Sequence, residues 1–115
     1  MRRLVTGLVL FVVGAANAAA HATLESASPK DGESLAMAPK EVRLNFGHEV
    51  HLTALKIIGN GAETALPVDR KAPAAKSFVI AAPVLGPGSY RLEWRALAND
   101  GHAMSGHLMF SISGK

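Results

Sequence analysis

The chain has no cysteine. That excludes disulfides, thiolate metal ligands and thiol nucleophiles. Without disulfides to brace it, the fold must stand on its apolar core alone. Aromatic residues are few, with one Trp, one Tyr and four Phe among 115 residues. Basic residues are scattered, and no Lys/Arg-rich run is interleaved with aromatics, which argues against nucleic acid as a partner. There are no internal repeats. No apolar run reaches the roughly 20 residues that a membrane-spanning helix needs.

What is present begins with a leader pattern. Arg2-Arg3 precede a short apolar stretch from Leu4 to Gly14, and Ala18-Ala19-Ala20 close it. A basic start, an apolar middle and an A-x-A end predict a secretory signal peptide over residues 1–20, cleaved after Ala20. Cleavage after Ala18 and an uncleaved membrane anchor are the alternatives. Removing residues 1–20 from 115 leaves 95, enough for one small domain over 21–115. The 12 Lys+Arg fall to 10 while the 9 Asp+Glu stay, so the formal charge drops from +3 to +1. The pI near 9.6 therefore overstates the basic character of the processed chain.

The remainder reads as strands. Val42, Leu44 and Phe46 alternate with Arg43 and Asn45. Tyr90, Leu92, Trp94 and Ala96 alternate with Arg91, Glu93 and Arg95. Leu108, Phe110 and Ile112 alternate with His107, Met109 and Ser111. A period of two puts one face in a core and the other in water. Leu52–Ile58 and Ser77–Pro83 predict two further strands, and Ala22–Pro29 an edge strand. Turn residues separate them at Ser28–Gly32, Gly59–Gly61, Gly86–Gly88 and Asn99–Gly101. Pro67–Lys76 predicts an exposed loop, and one helical turn is expected near Ser34–Met37. Short, regularly punctuated strands predict an all-β antiparallel sandwich or barrel.

Five histidines stand out: His21, His48, His51, His102 and His107. After cleavage behind Ala20, His21 would carry a free α-amine, and its amine and imidazole together can chelate one metal ion. The competing reading is that any residue can follow a cleavage site. Asp100 and His102 are two apart, so in an extended segment they point to one side. The competing reading is an ordinary Asn-Asp-Gly turn with a solvated His102. His48 follows what reads as a strand end and can reach a rim site, with His51 in the same patch. His107 shares the parity of Met109 and reads as an outer, solvated residue. Imidazole, amine and carboxylate without thiolate suit Cu(II), with zinc or nickel next. Soft ligands for Cu(I) are scarce, since Met37, Met104 and Met109 form no cluster in the sequence. A blue-copper electron-transfer centre is excluded because it needs a cysteine sulfur.

Three stretches carry a resemblance: HATLESASPKDGESL behind the leader, VRLNF, and GSYRLEWRALANDGHAMSGHLMFSIS near the end. Together they resemble the CopC family of periplasmic copper-resistance proteins, over His21 to Ser113. The resemblance implies a cupredoxin-like, immunoglobulin-type Greek-key β-sandwich that binds Cu(II) at one end. It implies a monomeric periplasmic copper carrier or buffer, not an enzyme, that serves a CopD-like inner-membrane permease. The implied ligands are His21, through amine and imidazole, with Asp100 and His102. The family commonly has F-S-E where this chain has Phe46-Gly47-His48, so His48 is an added ligand or a neighbour of the site. The Met-rich segment of some members is missing, which implies a single Cu(II) site.

Two other functions stay open at this stage. An amino-terminal histidine with a second histidine is also the arrangement of copper-dependent polysaccharide monooxygenases, which need an exposed aromatic face. The other is a metal-free structural sandwich, in which His21, Asp100 and His102 are incidental.

Overall fold

The computed structural model describes residues 24–114. The expected leader and His21 lie outside the described residues. Seven strands follow in order: β1 (Leu24–Ser28), β2 (Glu33–Leu35), β3 (Glu41–Gly59), β4 (Ala62–Ala65), β5 (Ala75–Ala81), β6 (Gly88–Ala98) and β7 (Ala103–Ile112). No helix occurs among the described residues.

β3 organises the fold. Its first half pairs antiparallel with β1 on one side and β5 on the other. Its second half pairs with β6 and β4 instead. Pairing with β5 lapses between Asn45 and Val50, where β3 crosses from one layer to the other. The first layer is thus β1, early β3 and β5. The second is β4, late β3, β6, β7 and β2. The predicted strands at 42–46 and 52–58 are one continuous strand of 19 residues, and His48 sits inside its crossover rather than past a strand end.

The alternating positions fill the space between the layers as expected. Val42, Leu44, Leu92, Trp94, Leu108 and Phe110 are all buried. Phe46 from the first layer meets Trp94 from the second edge-on, with ring centroids 5.1 Å apart. Burial of this apolar set is the main stabilising term in a chain without disulfides. At the pole away from Asn99–Gly101, the Tyr90 hydroxyl donates to the Gly86 carbonyl at 2.7 Å and accepts from Asn60 Nδ2 at 2.9 Å. This is the tyrosine-corner arrangement of immunoglobulin-like sandwiches.

Three further points differ from expectation. Ser34–Met37 holds no helical turn, because Glu33–Leu35 pairs with Phe110–Ile112 as the one parallel contact among the described strands. The Gly32 N–H donates to the Met109 carbonyl, and the Met109 N–H to Asp31 Oδ1, which docks the segment on the β7 edge. The loop is 66–74 rather than 67–76, since Ala75 and Lys76 already belong to β5. β4 was not expected; Asn60 and Gly61, both at positive φ, close a two-residue hairpin that lays it beside β3.

Candidate metal site

The β6–β7 hairpin forms one end of the sandwich. Its ladder closes at Leu97 opposite Ala103. Beyond that, the Ala98 N–H donates to the His102 carbonyl and the Gly101 N–H to the Ala98 carbonyl. Gly101 has φ +95°, a conformation that side chains resist. Asn99-Asp100-Gly101 is therefore a three-residue hairpin loop with a glycine in the left-handed position.

The loop brings Asp100 and His102 together, by a route other than strand alternation. Asp100 is in the turn, and its Oδ1 accepts the His102 backbone N–H at 3.0 Å. Its Oδ2 lies 2.8 Å from His102 Nδ1. The turn expected from Asn-Asp-Gly is present, and as an Asx turn it aims the carboxylate at the ring. The His102 N–H and then its imidazole hold the Asp100 carboxyl below its usual pKa range. Both side chains are solvent-exposed, 63% for Asp100 and 80% for His102.

The pair can do two things. It can share a proton, as a hydrogen bond. It can also chelate a divalent ion, because neighbouring ligands on a square-planar ion with bonds of about 2.0 Å lie about 2.8 Å apart. Two donors do not complete a site, and no group of three or more His, Cys, Asp or Glu suited to a metal occurs among the described residues.

The remaining histidines separate clearly. His48 is exposed in the β3 crossover. Val50 pairs with Ala98, so the crossover lies at the same end as Asp100 and His102. No hydrogen bond or ion pair among the described residues joins it to either. His51 does not belong to the patch. It is half-buried, and its Nδ1 lies 3.2 Å from the Ala72 carbonyl, so Nδ1–H donates and ties the 66–74 loop to β3. His107 is exposed opposite Glu93 on the outer face, as expected.

Two features near this end escaped the sequence. Ring atoms of Trp94 lie 2.6–2.9 Å from where a Cβ on Gly106 would stand, so the indole rests on the glycine opposite it. A glycine inside an alternating strand pattern is the signal for such a close approach. Glu25 is the extra residue where the β1–β3 register shifts, and its carboxylate lies over Gly47. No sequence signal marks that bulge. The large exposed hydrophobics are Met37, Val79, Val84, Leu97 and Met109, none aromatic. The polymer-gripping face of a monooxygenase is therefore not found among the described residues.

The CopC domain profile matches residues 24–113. Copper resistance protein C of Escherichia coli is 35% identical over 119 residues, covering 92% of this chain and 90% of that protein. The crystal structure of CopC from Methylosinus trichosporium OB3b superposes with a TM-score of 0.67 at 29% identity, covering 82% of this chain and 95% of that one. PcoC, a methionine-rich copper resistance protein from Escherichia coli, superposes with a TM-score of 0.59 at 28% identity, over 82% of this chain and all of that one.

Proposed function

The chain belongs to the CopC family, and from that premise we propose that it is an exported Cu(II) carrier or buffer, binding copper at the Asp100–His102 end of its sandwich. It acts by binding rather than by catalysis. The signal peptide over 1–20 is removed, and His21 becomes the first residue of a monomeric periplasmic protein. His21 supplies amine and imidazole, His102 an imidazole and Asp100 a carboxylate. His48 adds a further nitrogen at the rim. The ion passes to a CopD-like inner-membrane permease.

The observation that carries this reading is the Asp100–His102 pair, exposed and pre-spaced at 2.8 Å on a glycine-closed turn. Reach supports the third donor. Leu24 stands opposite Phe46, whose ring packs on Trp94. Trp94 is four residues, about 13 Å of strand, before Ala98. His21 is three Cα steps before Leu24, a span of up to about 10 Å before the imidazole is added. β1 runs antiparallel to β3, whose Val50 pairs with Ala98, so the amino-terminal end of β1 is the end nearer the hairpin loop.

The test is electron paramagnetic resonance of the processed protein with one equivalent of Cu(II), its start at His21 verified by mass spectrometry. A single nitrogen-rich type 2 signal is expected, altered when one extra residue precedes His21 and weakened in His102→Ala. A signal like that of aqueous copper, or one indifferent to both changes, returns the protein to a sandwich without this site.

A further inference from the structure

The outer face of the second layer carries paired charges at one end and unpaired cations at the other. Lys56, Glu93 and His107 make one cross-strand row. Within it Lys56 lies 3.7 Å from Glu93, and Arg91 lies 2.7 Å from the same carboxylate. Toward the Asp100–His102 end the next rows are Ala54–Arg95–Ser105 and His51–Leu97–Ala103. Arg95 is exposed and has no acidic partner among the described residues. Leu97 is 38% exposed and is the large apolar side chain that this face exposes at the Asp100–His102 end, Met109 being exposed farther along it.

The 66–74 loop borders the same row. His51 clasps its Ala72 carbonyl, and the Ala72 N–H donates to the Asp69 carbonyl. Asp69 turns its carboxylate onto the Lys71 backbone N–H at 3.0 Å. Arg70 and Lys71 are left exposed on a strapped turn, with no ion pair among the described residues. Arg70 and Lys71 thus stand next to the Ala72 carbonyl held by His51, the row partner of Leu97, and Arg95 is two residues before Leu97 on the same face. The carboxylates of Asp69 and Asp100, beside them in the chain, are committed to their own turns.

We propose that this face docks an acidic protein surface, with Leu97 as its apolar centre, during handover of copper from the hairpin loop. The inference rests on the reading of Asp100–His102 as the copper end. Leu97 is three residues before Asp100, so a partner seated there lies beside the ion. Complementary charge orients the encounter and speeds it, and a loop already tied down loses little freedom on binding.

A short peptide of glutamates around one leucine, titrated into the 15N-labelled metal-free protein, tests the face. Amide shifts are expected at Arg70, Lys71, Arg95 and Leu97 and not at Lys30 or Lys40. Binding should weaken about tenfold or more in R70E/K71E/R95E, and fade in about 1 M salt, where the screening length falls to roughly 3 Å. The single variant R95Q, which disturbs the fold less, should weaken it in the same direction. Shifts spread equally over Lys30 and Lys40, or unchanged in these variants, overturn the proposal. So does binding to phosphatidylglycerol vesicles through these residues with no response to the peptide. Cu(II) binding is measured alongside and should be equal in wild type and R70E/K71E/R95E. Failure of wild type to bind copper removes the handover role, while the peptide shifts decide the docking face independently.

Discussion

Asp100 commits both carboxylate oxygens to His102, and the consequence is a pH dependence of known sign. Its folded pKa is lowered, first by the His102 N–H and then by the imidazole. A carboxyl with a lowered folded pKa adds stability that is fully present above its unfolded value, about 3.9. That stability is lost as pH falls through the lowered folded value. In urea titrations, the stability difference between wild type and Asp100→Asn should therefore shrink below about pH 4. A difference that grows on acidification contradicts the hydrogen-bonded carboxylate. Gly106 carries a steric prediction. A methyl there would stand 2.6–2.9 Å from three Trp94 ring atoms, so the indole must move. Gly106→Ala should cost about 1–3 kcal/mol of unfolding free energy. An unchanged denaturation midpoint would show that Trp94 does not rest on Gly106.

At the scale of elements, alternation made the core strands legible. Val42, Leu44, Phe46, Leu92, Trp94, Leu108 and Phe110 are all buried as their parity requires. What alternation does not encode is partnership. A strand reads alike whether it stays in one layer or crosses to another, so β3 looked like two strands. The β2 segment lacks three full alternations and is held by the β7 edge, a contact no local pattern announces. The candidate site was half legible for the same reason. Asp100 and His102 are neighbours in sequence, and donor chemistry selects them. His48 and His51 are equally close in sequence, yet the fold sends His51 to the loop carbonyl. That difference is testable. His51→Ala removes one hydrogen bond to Ala72, worth about 0.5–1.5 kcal/mol of stability. It should speed hydrogen exchange in the 66–74 loop and leave Cu(II) affinity, read by competition titration, as in wild type. Weaker copper binding in this variant would place His51 at the site after all.

At the scale of the whole molecule, the proposed site makes copper and protons compete for one end of a sandwich that has no disulfide to fall back on. An ion that binds only the folded chain stabilises it, by about 2.7 kcal/mol at a free concentration one hundred times the Kd. The proposed donors bind only when unprotonated. A free imidazole titrates near 6.5 and an α-amine near 7.7–8.0, so each drop in pH makes the ion displace more protons. Cu(II) should therefore raise the melting temperature of the processed protein near pH 7, less at pH 5.5, and not measurably at pH 4. The direction separates the possible ligand sets. Carboxylates alone would hold copper well below pH 5.5, since their protons leave near pH 4. Imidazole and amine ligation must weaken steadily as pH falls from 7 toward 4, because each ligand has to lose a proton to bind. A melting-temperature increment that persists undiminished at pH 4 would therefore reject His21 and His102 as the donors. It would leave Asp100 and other acids to account for whatever copper is bound.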